Sequence, residues 1–334
     1  MIAKMEDAIR NYRGKPIKIM EVCGTHTYQI ARLGIGDLLP EAIRLVSGPG
    51  CPVCVTPAGY IDTAAEIVAR PGTTLLTFGD MMRVPGNNTR LDSRAKIMYS
   101  PMEVIPLAKE NPETAFVVAA VGFETTLPVY GLLIQKLIEM NIKNVRLLMA
   151  VKSIMPALEW LIQNQPDIQG FIGPGHVSAI LGYGVYEKLN MPLAVGGFSY
   201  EHIVSAIYDL LRQAERGTRE VHNLYPGVVT KSGNETALEI IDTYFETRPS
   251  VWRGLGEIPN SGYRLKKAFS AFDAGDYSEQ STEHEGCRCC DVIIGKCLPT
   301  ECPLFGTACT PECPVGPCMV SMEGSCGIYY ETGR

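Results

Sequence analysis

The sequence predicts an α/β protein built on parallel strands, with a cysteine-rich segment at its carboxyl end. From about residue 16 to 216, short β-rich apolar runs alternate with longer helix-period segments, as βαβ units require. The length, 334 residues, leaves room for two domains and a small third at about 150 residues each. Nine of the twelve cysteines crowd into residues 287–326, which marks a local chemical site. Hydrophobic residues at 46% and charged residues at 20% are ordinary globular usage and exclude disorder as the main state. No apolar stretch approaches the roughly 18 residues that cross a bilayer. The formal charge of −6, with no Lys/Arg cluster able to neutralise a run of phosphates, argues against nucleic acid as a partner.

Strands are predicted over residues 17–22, 44–46, 73–78, 96–99, 115–121, 145–151, 168–172 and 193–195. The helix-period run 60–68 puts Ile61, Ala64, Ala65 and Val68 on one face, and 132–138 does so with Leu132, Ile134, Leu137 and Ile138. Both read as sheet-covering helices. Residues 215–275 read as a connection with some structure, including a helix near 235–245, and DYSEQSTEHEG (276–286) as a polar linker. The amino end, MIAKMEDAIR, lacks the apolar core and cleavage site of a secretory signal, so a cytoplasmic location is expected. In a reducing compartment, clustered thiols point to metal or redox chemistry.

Ligands of open parallel sheets bind outside the carboxyl ends of the strands, and the chemically loaded residues fall there. Cys23-Gly24-Thr25-His26 follows the first strand, GPGCPVC with Cys51 and Cys54 the second, and Gly79-Asp80 with Arg83 the third. GFETT with Glu124 follows the fifth and GPGH with His176 the seventh. One shared cleft is expected. Cys23, at a helix start with His26 three residues on, is placed for thiolate formation and soft-metal binding; the alternative is a small buried hydrophobe. Cys51-Pro-Val-Cys54 has the spacing of a dithiol redox pair, the alternative being half a zinc site. No second CxxC occurs in the first 280 residues to complete one. Asp80, Glu124 and His176 fit either cleft chemistry or structural roles, Asp80 with Arg83 as an ion pair holding a loop. The tail CRCCDVIIGKCLPTECPLFGTACTPECPVGPCMVSMEGSC suits an iron–sulfur cluster or tetrahedral zinc, without singling out the binding thiols.

The motifs MEVCGTHT (20–27), GPGCPVC (48–54), TFGDMMRVPG (77–86), YSPM (99–102), GFETT (122–126), GPGHVS (173–178), WRGLG (252–256) and the tail from CRC to CMVSMEGSC together resemble the HypD family of hydrogenase maturation factors. The resemblance implies two parallel-sheet α/β domains flanking a cleft, over residues 1–112 and 113–225, with a connection and small iron–sulfur domain over 226–334. It implies a redox-active, metal-binding assembly scaffold that works with a HypC-type chaperone on the Fe(CN)2CO unit of NiFe-hydrogenases, accepting cyanide from a HypE-type thiocyanate carrier. Cys23 matches the proposed ligand of that iron, with Cys51 and Cys54 a dithiol–disulfide pair and His26, Glu124 and His176 supplying protons or stabilising bound cyanide. Cys287, Cys302, Cys309 and Cys326 match ligands of a 4Fe-4S cluster, with Cys289 and Cys318 a redox pair beside it. Cys290, Cys297 and Cys313 depart from the family pattern, as do Tyr28, where some members carry a second His, and Gly197-Phe198-Ser199-Tyr200, which replaces Gly-Phe-Glu-Pro. No nucleic acid or membrane partner is expected, and the chain alone is expected to be a monomer. Alternative activities are a 4Fe-4S-dependent protein disulfide reductase and a zinc-stabilised binding scaffold.

Overall fold

The computed structural model describes residues 1–333. Its strands are β1 (Ile17–Glu21), β2 (Ile43–Ser47), β3 (Thr73–Thr77), β4 (Lys96–Ile97), β5 (Ala115–Gly122), β6 (Val145–Val151), β7 (Gly170–Gly173), β8 (Leu193–Val195), β9 (Val221–Asn223), β10 (Phe245–Trp252) and β11 (Gly256–Leu265). The first sheet is all parallel in the order β2-β1-β7-β8-β9, and the second, also parallel, runs β4-β3-β5-β6. Near-continuous apolar runs such as AFVVAAVG in β5 are what strands covered on both faces require. Ile9, Ile203, Ile207 and Leu210, from helices Ile2–Arg10 and Tyr200–Arg216, pack on one face of the first sheet with Ile19 and Ile172. Helix Leu127–Glu139 covers one face of the second. A third core joins Met20 and Val46 of the first sheet, Leu75 and Leu148 of the second, and Cys289, Cys318 and Cys326 of the tail.

The sheets are not consecutive stretches of chain. The first takes β1 and β2 from the amino end and β7 to β9 from beyond residue 170, while β3 to β6 form the second. The expected boundary between residues 112 and 113 therefore falls between β4 and β5, inside one sheet. Apolar periodicity locates strands but does not encode their lateral order. Residues 215–275, expected to be mostly connection, contain β9 and the antiparallel hairpin β10–β11. Their polar and Pro-containing sequences, FETRPSVW and GEIPNSGYRL, hide a strand pattern. The register slips between Arg248 and Ser250, at Pro249, which has no N–H for the ladder. In helix Leu127–Glu139 the buried face is Leu127, Tyr130, Leu133, Ile134 and Leu137; Leu132 and Ile138, expected on it, are exposed. Among the described residues no helix is long and apolar enough to cross a membrane.

Candidate functional site

A cavity of about 420 Å³ lies where loops leaving the carboxyl ends of both sheets meet. The first sheet contributes Cys23 after β1, Gly50, Pro52 and Val53 after β2, and His176 after β7; the second contributes Gly79 and Asp80 after β3, Phe123 to Thr126 after β5 except Glu124, and Ile154 after β6. The tail closes the wall with Ser321 and Glu323. Strand-end convergence thus brings Cys23, Asp80 and His176 to one cavity, while His26, Cys51, Cys54, Arg83 and Glu124 lie off its wall.

Cys23 caps helix Gly24–Arg32 in extended backbone and is mostly buried. Its loop is held from both sides. Gly24 N–H donates to Gly50 O at 3.4 Å and Cys23 N–H to Glu21 Oε2 at 3.2 Å, while Thr27 Oγ1 donates to Glu21 Oε1. The thiol does not have the activated character expected from its position. Burial, with Glu323 and Glu21 nearby, pushes it up to about 12, outweighing the N–H groups of the helix start. His26 gives no assistance: its Nε2 lies 3.0 Å from Gly197 O, its Nδ1 has no partner, and burial lowers it to about 4. The helix turn aims the imidazole at the Gly197 loop, where Phe198 lies between it and His176, ring centroids 4.7 and 4.3 Å away. His26 and His176 are therefore linked by ring contacts to the same Phe198 of the Gly197–Tyr200 loop. His176 stands exposed on the cavity wall, with its proton affinity lowered by partial desolvation.

Cys51 and Cys54 are joined as a disulfide across the Pro52–Val55 turn, and Cys54 N–H donates to Cys51 Sγ at 3.2 Å. Gly50 brings this turn against Cys23: a Cβ built on it would lie 2.5 Å from Cys23 N and 2.6 Å from its Cα. Glu124 does not line the cavity, although its neighbours Phe123 and Thr125 do. Its Oε1 accepts from Ser153 Oγ at 2.8 Å and Ile154 N–H at 2.9 Å, its Oε2 has no partner, and burial pushes the carboxyl up to about 7. Arg83 does not pair with Asp80. It donates to Pro311 O and Val320 O, both at 3.2 Å, and so fastens the tail.

Two further acids, Glu21 and Glu323, stand beside the site outside any of its motifs' chemically loaded positions. Glu21 interrupts the apolar run of β1, which was the available signal; it is buried and pushed up to about 8 by desolvation. Glu323 accepts from Thr25 Oγ1 at 3.4 Å and abuts Gly24, whose Cβ would meet its carbonyl at 2.5 Å.

In the tail, Cys287, Cys289, Cys302, Cys309 and Cys326 line one small pocket with Gly316. Cys318 is fully buried beside them, its N–H donating to Cys289 Sγ at 3.4 Å, and Val315 N–H donates to Cys309 Sγ at 3.4 Å. Hydrogen bonds from Cys289 and Cys318 hold the Cys326 thiol below its ordinary value. A Cβ on Gly316 would approach Cys287 Sγ to 3.0 Å and Cys289 Sγ to 3.2 Å. Among the described residues no three His, Cys, Asp or Glu side chains form a single-ion site. A cubane cluster spreads its four thiolates around a volume, and walls of thiols with backbone N–H groups aimed at sulfur fit that demand. Cys290 packs against Gly254, Cys297 is buried near Arg288, and Cys313 is exposed, all outside the pocket.

These features define a parallel-sheet α/β protein whose thiol-bearing cleft is closed by a polythiol tail. The chain matches the HypD family model, described as hydrogenase formation hypA family, over residues 1–333. It is 40% identical to the hydrogenase maturation factor HypD of Azotobacter vinelandii, the match covering 100% of this chain and 92% of that protein. Identity is 38% to HypD of Rhizobium leguminosarum bv. viciae, over 100% and 91%, and 38% to HypD of Rhodobacter capsulatus, over 99% and 93%. The chain belongs to the HypD family of hydrogenase maturation factors.

Proposed function

We propose that this chain is a cytoplasmic scaffold on which ferrous iron acquires cyanide and CO, with Cys23 as a thiolate ligand of that cargo and a HypC-type chaperone as partner in holding it. The observation that carries the reading is the seat of Cys23: a buried thiol on the wall of a cavity shared by both sheets, with the Cys51–Cys54 turn behind it and Glu323 of the tail beside it. Low-spin ferrous iron favours soft donors, and a thiolate is one. Metal binding displaces the thiol proton, so an elevated value in the metal-free site is compatible with ligation.

Cyanide delivered as a thiocyanate on a HypE-type carrier must lose its carbon–sulfur bond. Two electrons break that bond, giving the carrier thiolate and cyanide, whose carbon then bonds iron. Oxidation of two thiols at Cys51 and Cys54 to their disulfide yields two electrons and two protons. One proton returns to the carrier thiolate. Glu124, with Oε2 free and a value of about 7, and His176 on the cavity wall are suited to take the other.

Cys287, Cys302, Cys309 and Cys326 would hold a 4Fe-4S cluster, with Cys289 and Cys318 as the neighbouring thiol pair. When bound, that cluster would supply one-electron chemistry beside the Cys289 and Cys318 thiols. Pro52–Val55 packs against Pro317–Met319, which brings the two thiol regions together. Replacing Cys23 by Ala should abolish iron–cyanide infrared bands in the anaerobic complex with the chaperone while cluster absorbance persists. Retained bands reject the assignment.

A further inference from the structure

The WRGLG turn (252–256) sits where the thiol regions meet. Trp252 is fully buried, its ring stacked 5.9 Å from Phe123 of the cavity wall. Arg253 N–H donates to Val55 O at 2.9 Å, directly after Cys54. Gly254 takes φ +83°, a left-handed backbone that spares it a Cβ, which would lie 3.0 Å from Cys290 Cβ and 3.1 Å from Cys290 Sγ. One turn thus touches the cavity wall, the Cys51–Cys54 turn and the first turn of the Cys289–Ile293 helix.

The Arg253 side chain is 4% exposed. Its Nε and Nη2 donate to Glu283 at 3.0 and 3.3 Å, which fixes the guanidinium plane, while Nη1 is buried without a partner. Glu283 offsets only part of the charge, being one-third exposed. The turn seats this cation beside Cys290, which lies about 3 Å from a Cβ built on the adjacent Gly254, and Glu283 stands four positions before Cys287 in the same segment. A buried cation held beside sulfur groups whose surplus charge changes on reduction has a consequence that depends on sign. We propose that Arg253 is a positioning residue that sets the redox balance of the tail's sulfur site, its fixed positive charge favouring the reduced, more negative form and its pairing with Glu283 limiting that preference. The inference rests on the cluster reading above. The step adds one electron, from an external reductant, to the cluster and its thiolates; no bond forms or breaks and Arg253 keeps its protons.

The test is a potentiometric titration of the full-length chain, purified anaerobically with its iron, using dithionite as reductant and electron paramagnetic resonance as readout. At a fixed potential, Arg253→Gln should lower the reduced-to-oxidised ratio about tenfold, a shift of about 59 mV for a one-electron couple. Glu283→Gln should raise the ratio, and Arg253→Lys should stay near the parent. Loss of packing alone would not give shifts of opposite sign from the two halves of one ion pair. Unchanged ratios in both neutral variants, or shifts in the same direction, overturn the proposal. Should Arg253→Gln fail to retain iron, Glu283→Gln decides by itself: a rise supports the proposal and an unchanged or lowered ratio overturns it. A parent chain without iron and inorganic sulfide instead sinks the cluster reading, and this inference with it.

Discussion

Gly50→Ala is expected to damage the Cys23 site without touching a thiol. The added Cβ would lie 2.5 Å from Cys23 N, 2.6 Å from Cys23 Cα and 2.6 Å from Val22 C. Carbon atoms pack best at about 3.5–4.0 Å, so relief needs a displacement of about 1 Å. All three obstacles are backbone, and the Cys23 backbone is already tied to Glu21, so no side-chain rotation can supply that displacement. Overpacking of this kind costs about 1–3 kcal/mol. Gly79→Ala is the matched control: Gly79 also lines the cavity, but its Cβ would meet only Ile97 Cγ2 at 3.9 Å, an ordinary contact. There the narrower unfolded ensemble should leave stability unchanged or raised by about 0.4–1 kcal/mol. Urea denaturation gives the stability difference, and the iron–cyanide infrared bands of the chaperone complex report the site. Gly50→Ala with the parent's midpoint and full bands would refute the claim that Gly50 fixes Cys23.

Glu124 is pushed from the ordinary 4.5 up to about 7 by burial, so the folded state keeps its proton where the unfolded state releases it. Its contribution is fully present below pH 4.5 and is lost as pH rises to about 7, a decline of about 3 kcal/mol that Glu124→Gln should remove from the pH dependence of the urea midpoint; parallel curves for variant and parent would count against it. Gly316→Ala drives a methyl group to 3.0 Å from Cys287 Sγ and should lower the iron and inorganic sulfide retained per chain, measured after anaerobic purification, while the Cys51–Cys54 turn is unaffected.

The legible part of the fold was the part written in apolar runs. All eight expected strands are present, seven of them in apolar runs that a parallel sheet buries, while the two-residue β4 is an exposed edge. Their pairing was not legible: nothing local in Ile17–Glu21 says that it lies beside Gly170–Gly173. The strand-end rule brought Cys23, Gly50, Asp80 and His176 to one cavity, since it depends on chain direction alone. What failed were statements about side-chain aim. Cys23 and His26 are three residues apart, but a cap residue lies outside the helix, and the imidazole turns to Gly197 O. Arg83 reaches tail carbonyls more than 220 positions away, a partner no spacing rule can name.

The tail is the more informative case because its thiols alone do not explain its attachment. The Ser325–Thr332 helix packs on Gly24–Arg32, Glu323 abuts Gly24 and accepts from Thr25, and Arg83 from the second sheet holds Pro311 and Val320. A segment serving only to store a metal centre could sit anywhere on the surface. This one forms part of the wall around Cys23 and lies against the turn that carries Cys51 and Cys54, so the sulfur pocket and the Cys23 loop share packed contacts through Glu323. That placement makes the cavity and the polythiol pocket two ends of one packed unit, with the half-buried Glu323 carboxyl between them raised by desolvation.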